Sequence, residues 1–374
     1  MKYFIIAGEQ SGDLHGSNLV RELLAKDREA EIKCWGGDLM VAAGATLLMH
    51  YRQTAFMGVT AIIKNLGKIF RNLKICGNQI TDYKPDVVIL IDYPGFNLRI
   101  ARFARNSGFR VFYYISPKFW AWNEKRVVKV RRYVNKMYII FPFETGFYEK
   151  YGIPVRYMGN PLVDEIDKRI SAIPERSSLK GIMNLDERPV IGILAGSRMQ
   201  EVAYMLPQMI KVVKYFPEYQ FVVAGVKNLP DDLYNKIIAN ENVRIVREST
   251  YELLLVSEAA LVASGTATLE TALLGIPQVV CYRSDFLTMI LSLMVLRVKY
   301  ISLVNLIMES EVIKELLGYK LNRKNLVREL KRILPGSPER ERILDGYRIV
   351  KERLGSSGAS ARIAADMVAT LKAS

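Results

Sequence analysis

Cysteine, histidine and long apolar runs are scarce in this chain of 374 residues. Its three cysteines, Cys34, Cys76 and Cys281, are far apart and odd in number, which argues against a disulfide framework and favours a reducing compartment. Because His15 and His50 are the only histidines, a histidine-based zinc site is not expected either. We therefore expect no bound metal and no cofactor.

The sequence also lacks an apolar run of about 18 residues, the length that a membrane-spanning helix needs. The nearest stretch, residues 286–298, is interrupted by Thr288, Ser292 and Arg297, so we expect it to be buried or interfacial. The N-terminus leads directly into a strand-like segment without a charged leader. These features predict a cytoplasmic protein.

Acidic residues are outnumbered, 38 against 53 lysines and arginines, which gives a net charge of +15. Such an excess indicates a polyanionic partner, namely phosphate groups, anionic lipid or nucleic acid. Zinc-finger spacing, an aromatic RNA-binding motif and an arginine-rich tail are all missing, so nucleic acid is not expected. The alternative is a basic soluble enzyme without such a partner.

Short apolar runs alternate with helical patterns along the chain, which is typical of parallel sheets with crossover helices. The predicted strands are residues 3–7, 31–35, 87–91, 111–115, 137–140, 190–194, 221–224, 243–246, 259–262 and 278–281. A turn-rich, charged stretch near residues 159–185 separates two halves. We expect an α/β protein of two Rossmann-like domains that face each other across a cleft. Their predicted bounds are 1–165 and 166–345, followed by a helical tail, 346–374, that packs on the first domain or on a partner in a homodimer.

Two glycine-bearing turns follow predicted strands of the second domain. The first offers a close backbone approach at Gly196, a hydroxyl donor at Ser197 and a guanidinium at Arg198, which suits a diphosphate. The second, residues 263–270, opens a helix and places Glu270 one turn later, where it can hold ribose hydroxyls. Its phosphate-binding candidates are Ser264, Gly265, Thr266 and Ala267. A plain capped helix start is the alternative for both turns.

The first domain carries acidic residues where its strands end. The segment 8–16, GEQSGDLHG, opens a helix without the spacing of a dinucleotide-binding motif, and Glu9 and Asp13 suit sugar hydroxyls or amines. Asp92 ends the strand 87–91, the kind of position that a general base needs. An ordinary βα turn and a turn aspartate are the alternatives. The aromatic run 116–122 fits a sugar, an acyl chain or a core equally well.

The segment 59–74 has the pattern of a basic amphipathic helix. Such a helix can lie in an anionic membrane interface, although a core-facing helix with a solvated basic side would look the same. Its apolar face consists of Val59, Ile62, Ile63, Leu66, Ile69, Phe70 and Leu73, and its basic flank of Lys64, Lys68, Arg71 and Lys74.

Nine motifs in order make the chain resemble the lipid-A-disaccharide synthase family over essentially its whole length. They are residues 8–16, 56–58, 84–86, 91–94, 116–126, 141–144, 195–198, 263–270 and 300–305. The resemblance implies the metal-independent GT-B architecture and a peripheral enzyme at the inner face of the inner membrane, acting in lipid A and lipopolysaccharide biosynthesis. It implies inverting transfer from UDP-2,3-diacylglucosamine to the 6-hydroxyl of 2,3-diacylglucosamine 1-phosphate, with release of UDP.

The same resemblance implies a role for individual residues. Asp92 matches the family's catalytic aspartate, Glu9 would position the acceptor and Asn305 would help to hold the donor. Arg198 and the turn 264–268 would stabilise the departing UDP. The sequence departs from the family pattern at four positions, namely Gly95, Asn160, Ala195 and Val304.

Two other readings stay open. One is another UDP-sugar enzyme of this architecture, such as a UDP-N-acetylglucosamine 2-epimerase or the transferase that makes the peptidoglycan lipid intermediate. The other is a nucleotide-binding or membrane-docking protein without catalysis. An epimerase has no use for a lipid-facing helix, and the joint presence of Asp92, Arg198, Glu270 and Asn305 argues against a non-catalytic protein.

Overall fold

The structure is a computed structural model that describes residues 1–54, 66–122, 124–239, 241–283 and 299–373. The chain divides into two compact units, Met1–Asp164 with Ser356–Ser374, and Glu165–Gly355. Each unit is an α/β layer structure around a parallel sheet, which confirms the predicted fold class. The predicted cleft between the two domains stays a prediction.

The described strands of the first unit form one parallel sheet in the order β3-β2-β1-β4-β5-β6-β7. The central strands are continuous buried apolar runs, as expected for strands covered by helices on both faces. Their bounds are β1 Lys2–Ala7, β2 Glu31–Gly36, β3 Thr46–His50, β4 Val87–Ile91, β5 Arg110–Tyr114, β6 Lys136–Ile139 and β7 Val155–Tyr157.

Helices connect these strands. The helix at Pro94–Asn106 begins with a proline, whose fixed φ suits the first helical position. The helices described up to residue 164 are α1 Gln10–Lys26, α2 Asp38–Ala42, α3 Leu66–Tyr83, α4 Pro94–Asn106, α5 Phe119–Trp122, α6 Val127–Tyr133, α7 Glu144–Glu149 and the start of α8 Pro161–Ser171. Short 3-10 turns span Tyr51–Gln53 and Glu124–Arg126.

The described strands of the second unit form a parallel sheet in the order β10-β9-β8-β11-β12-β13. The strands are β8 Val190–Leu194, β9 Gln220–Gly225, β10 Val243–Arg247, β11 Ser257–Ala263, β12 Gln278–Tyr282 and β13 Lys314–Leu317. Its helices are α9 Arg176–Ile182, α10 Met199–Met209, α11 Asp231–Ile238, α12 Thr250–Val256, α13 Ala267–Leu273, α14 Leu303–Met308, α15 Arg323–Ile333 and α16 Pro338–Leu354, with 3-10 turns at Ile210–Tyr215 and Gly318–Lys320.

The last helix, α17 Ala359–Lys372, belongs to the first unit and not to the second. Its buried side chains Ile363, Ala364 and Met367 join the core on one face of the first sheet. The Asp164 carboxylate accepts hydrogen bonds from three backbone N–H groups at residues 358–360, the start of α17. The tail therefore packs on its own first unit from Ser356 onward. The predicted bound at residue 345 falls inside α16, which lies wholly in the second unit.

Three predicted features lie wholly or partly outside the described residues. They are the segment 286–298, the motif 56–58 and residues 59–65 of the amphipathic pattern. The rest of that pattern lies on α3, where Lys68, Arg71 and Lys74 are exposed and the Phe70 side chain is 63% exposed. Among the described helices, none combines the length and the apolar character needed to cross a membrane.

Candidate active site

Each sheet has one switch point, where neighbouring strands send their connections in opposite directions. In the first unit this point lies between β1 and β4, because β2 flanks one and β5 flanks the other. In the second unit it lies between β8 and β11. Ligands of open α/β sheets bind outside the carboxyl ends of the strands at this point. The residues that follow β1 and β4 are therefore the candidate site of the first unit, and those that follow β8 and β11 are the candidate site of the second.

Asp92 follows β4 at the first switch point, in a backbone conformation that few residues adopt. Its φ is 42° and that of Tyr93 is 48°, both in the left-handed region. The Asp92 N–H donates to the Tyr114 carbonyl at 3.1 Å, and its carbonyl accepts from the Tyr113 hydroxyl at 2.6 Å and the Asn97 amide at 2.8 Å. These three hydrogen bonds hold the strained turn, and with it the direction of the carboxyl group.

The surroundings of Asp92 raise its pKa to about 6, and burial is the main cause. The positive charge of Lys118 opposes this shift, whereas the negative charge of Glu9 adds to it. A carboxylate with a pKa near 6 is ionised at neutral pH and accepts a proton more readily than an ordinary aspartate. Asp92 and Glu9, which the sequence predicts as a pair of site residues, thus act on each other electrostatically.

Gly8 leaves room for the ring of Tyr93, the neighbour of Asp92. A Cβ atom at residue 8 would lie 2.2 Å from the Tyr93 Cδ1 atom, far inside any allowed contact. The Tyr93 hydroxyl donates to the Thr54 carbonyl at 2.9 Å, so the ring is fixed at both ends. Glu9 comes next and forms the N-cap of α1, with a partly exposed side chain.

Asp13 does not serve the role that the sequence suggests. Its carboxylate is 3% exposed and accepts hydrogen bonds from the N–H groups of Gly37 at 2.7 Å, Leu39 at 3.1 Å and Met40 at 3.2 Å. These contacts cap the start of α2. The expectation that Asp13 meets an acceptor sugar is therefore wrong, because its oxygens are already engaged inside the unit.

Glu144 is a residue of this site that sequence reasoning missed, although it ends the quoted motif 141–144. It is 1% exposed, and burial raises its pKa to about 7. Its carboxyl group accepts from the Ser116 hydroxyl, the Trp120 indole N–H at 3.1 Å and the backbone N–H groups of Phe141 at 3.1 Å and Ile140 at 3.3 Å. Glu144 thereby anchors the segment 116–120, which contains Lys118.

In the second unit, Gly196, Ser197 and Arg198 lie beyond the end of β8, as predicted. Gly196 has a φ of 114°, and the Arg198 side chain is 64% exposed. The N–H groups of Ser197 and Arg198 donate to one oxygen of Glu201, at 2.9 and 3.2 Å, and the Arg198 guanidinium lies 3.5 Å from the other. A carboxylate thus occupies the anion-binding groups of this turn, and a phosphate would compete with it.

The second predicted turn follows β11 at the same switch point. Gly265 and Thr266 are exposed, Ser264 and Ala267 are partly exposed, and a Cβ at Gly265 would meet nothing within 4 Å. Glu270 lies one turn into α13, where burial raises the pKa of its carboxyl group. The Tyr251 hydroxyl donates to one Glu270 oxygen at 3.1 Å.

Asn305, predicted to hold the donor, is fully buried at the start of α14. Its amide nitrogen donates to the Ile313 carbonyl at 2.9 Å and to Glu315 at 3.0 Å, and its oxygen accepts from the N–H groups of Val312 and Ile313. Because these contacts use its whole hydrogen-bonding capacity, Asn305 cannot bind a ligand directly. We correct its role to that of a positioning residue for the segment 301–305, whose Ser302 also donates to Glu315.

The described residues contain no cluster of histidine, cysteine, aspartate and glutamate that could hold a metal ion. The first unit offers a partly buried carboxyl group with a raised pKa, and the second offers two turns whose polar groups suit a phosphate. The first arrangement can accept a proton, and the second can hold a nucleotide.

Comparison with known proteins identifies the relatives of this chain. A family model described as lipid-A-disaccharide synthetase matches residues 3–366. The lipid-A-disaccharide synthase of Geobacter metallireducens is 36% identical over 97% of this chain and 95% of its own length. That of Myxococcus xanthus is 34% identical over 99% of this chain and 97% of its own length.

Solved structures show the same fold at low identity. The UDP-GlcNAc 2-epimerase of Neisseria meningitidis bound to UDP-GlcNAc aligns with a TM-score of 0.68, at 14% identity over 99% of this chain and all of that one. The calicheamicin glycosyltransferase CalG4 aligns with a TM-score of 0.63, at 14% identity over 99% and 98% of the two chains.

Proposed function

The chain belongs to the lipid-A-disaccharide synthase family, whose members are glycosyltransferases of lipid A biosynthesis, and from this premise we propose its reaction. It transfers 2,3-diacylglucosamine from its UDP derivative to the 6-hydroxyl of 2,3-diacylglucosamine 1-phosphate. The products are the β-1,6-linked disaccharide 1-phosphate and UDP. Attack from the face opposite the departing UDP inverts the anomeric carbon.

The observation that carries this proposal is the carboxyl group of Asp92 at the switch point of the first sheet. Its pKa of about 6 suits a general base that takes the proton from the attacking 6-hydroxyl. Glu9, the next residue after Gly8, orients the acceptor sugar. Lys118 keeps Asp92 ionised near neutral pH, and Glu144 holds the segment that carries Lys118.

The turns of the second unit bind the UDP part of the donor. The Arg198 guanidinium and the N–H groups of Ser197 and Arg198 neutralise charge on the diphosphate as the bond to the sugar breaks, once the Glu201 carboxylate has been displaced. Glu270 accepts hydrogen bonds from ribose hydroxyls through the oxygen that does not receive the Tyr251 hydroxyl. The turn contributes further donors at Gly265, Thr266 and Ala267, whereas those of Ser264 are engaged, its N–H with the Cys281 carbonyl at 3.0 Å and its hydroxyl with the Ile301 carbonyl at 3.4 Å.

We also propose peripheral contact with the inner face of the inner membrane. Acyl chains favour the bilayer by roughly 0.8 kcal/mol per methylene, so the enzyme must reach its substrates there. The exposed Phe70 and the cations Lys68, Arg71 and Lys74 of α3 are a suitable contact with anionic lipid. A homodimer stays a prediction.

The decisive experiment measures UDP release from the UDP-sugar in mixed micelles containing a chelator, with and without the acceptor. We expect release only when the acceptor is present and no inhibition by the chelator. Release that needs no acceptor, or none at all despite UDP binding, would contradict the proposal.

The second candidate is a UDP-GlcNAc 2-epimerase, because the epimerase of Neisseria meningitidis shares the fold with a TM-score of 0.68. An epimerase would invert carbon 2 of UDP-GlcNAc without any acceptor. Proton NMR of UDP-GlcNAc incubated with the protein distinguishes the two, and we expect no epimerised product.

A further inference from the structure

A strongly basic pocket lies between α4 and α6 of the first unit. Its volume is about 410 Å³, within the usual range for small-ligand sites. No carboxylate is among the residues that line it, and its cationic side chains are Arg99, Arg102, Arg126, Lys129 and Arg132. Five positive charges around one small space repel one another, and an anion bound between them would offset this repulsion.

Acidic residues are rare in the chain segment that forms the pocket. From residue 94 to residue 135, Glu124 is the only acidic residue, and its carboxylate accepts a hydrogen bond from the Tyr151 hydroxyl at 2.8 Å. Two of the arginines are held in place by neighbours. The Arg99 guanidinium donates to the Gly95 carbonyl, and that of Arg132 lies 5.6 Å from the centre of the Tyr133 ring.

The position of the pocket connects it to the candidate active site. Pro94 and Gly95 line it, and they are the first residues of α4, directly after Asp92 and Tyr93. The N-terminal end of this 13-residue helix carries a partial positive charge, which also favours an anion. An anionic group beside Pro94 and Gly95 would therefore lie close in the chain to the proposed general base.

We propose that this pocket binds a phosphomonoester, namely the anomeric phosphate of the acceptor. Guanidinium groups bind phosphate oxygens in pairs of parallel hydrogen bonds, and several arginines can surround a dianion. This inference rests on the proposed function and assigns its acceptor phosphate to named residues. A phospholipid headgroup also carries phosphate oxygens that arginines can bind, so the test must separate the two sources.

The chain offers a matched pair of double variants. Arg102→Ala with Arg132→Ala removes two charges from the pocket, whereas Arg105→Ala with Arg131→Ala removes two exposed charges from the same helices outside it. We expect the pocket variant to raise the KM for the acceptor at least about tenfold, with the KM for the UDP-sugar unchanged. The control variant should keep both values.

An acceptor without its phosphate completes the comparison. The native enzyme should use it with a higher KM, and the pocket variant should no longer distinguish the two acceptors. The assignment is overturned if the pocket variant raises the KM for the two acceptors by the same factor. It is overturned as well if the control variant raises the KM as much as the pocket variant does. It is also overturned if the pocket variant still distinguishes them but no longer binds phosphatidylglycerol vesicles, because the pocket then serves the membrane.

A binding measurement separates this inference from the proposed function. Calorimetric titration with soluble glucosamine 1-phosphate needs no turnover, and binding should weaken in the pocket variant but not in the control. If the native protein binds this probe through the pocket yet shows no acceptor-dependent UDP release, the proposed function fails and the pocket assignment stands. Turnover without any difference between the variants would refute the pocket assignment alone.

Discussion

Replacing Asp92 with asparagine should abolish turnover and, above about pH 6, make the first unit more stable than in the native protein. Burial raises the pKa of Asp92 from the ordinary 3.8 to about 6, so folding disfavours the ionised carboxylate. At about 1.4 kcal/mol for each pKa unit, this difference amounts to about 3 kcal/mol. Asparagine carries no charge and tolerates the left-handed backbone at residue 92 as well as aspartate does.

The gain in stability depends on pH with a definite sign. Below about pH 4, Asp92 is protonated in both the folded and the unfolded chain, so the variant and the native protein should be equally stable. Between about pH 4 and 6 the unfolded chain releases this proton while the folded chain keeps it. The native protein therefore loses stability as the pH rises through this window, and the variant does not. Above about pH 6 the difference is complete.

Thermal unfolding of the two proteins from pH 4 to pH 8 tests this reasoning. For a unit of this size, a change of about 3 kcal/mol shifts the unfolding temperature by roughly 6–12 °C. Asp82→Asn, which changes an exposed aspartate of the same unit, is the control and should show no such difference. Equal stability of Asp92→Asn and the native protein at pH 8 would refute the claim that burial destabilises the ionised Asp92. Near-native turnover by Asp92→Asn would refute its role as the base.

Three further changes test other parts of the site. Lys118→Ala should move the acidic limb of the pH profile of kcat/KM to higher pH, because the charge of Lys118 lowers the pKa of Asp92; an unmoved limb would contradict the contact. Gly8→Ala should lower both activity and unfolding temperature, at a cost of about 1–3 kcal/mol, because its Cβ would strike the Tyr93 ring. Asn305→Ala should lower the free energy of unfolding in urea by about 1–3 kcal/mol, because it leaves buried N–H groups without acceptors. A loss of affinity for the UDP-sugar donor with unchanged stability would instead show that Asn305 binds the donor directly.

The central strands of both sheets could be predicted from the sequence because they are continuous apolar runs. Val87–Ile91 and Val190–Leu194 have the bounds that the pattern predicts. The strands that the pattern misses, Thr46–His50, Val155–Tyr157 and Lys314–Leu317, all lie at the edges of the sheets. These three edge strands are only partly buried and lack a continuous apolar run, whereas the edge strand Val243–Arg247 has enough β-branched residues to be predicted.

The site shows the same division between local and distant information. A residue's place after a strand is local, which is why Asp92 and Arg198 could be proposed from the sequence. Whether its side chain bonds to a residue far away in the sequence is not local information. Asp13 caps a helix that begins 25 residues later, and Glu144 binds a serine 28 residues earlier. A pattern of residue types therefore predicts where a polar group lies, but not whether its oxygens are already occupied.

The backbone at the carboxyl ends of β4 and β5 carries this argument one step further. Asp92, Tyr93 and Ile115 all have φ between 42° and 63°, and a β-branched residue such as Ile115 is rare in this region. Each such residue costs about 1–3 kcal/mol and persists only where the surrounding structure imposes it. Here the N–H groups of Asp92 and Ile115 donate to carbonyls at the ends of the neighbouring strands. Glycine would relieve the strain at residue 92, but it would remove the carboxylate that the proposed proton transfer needs.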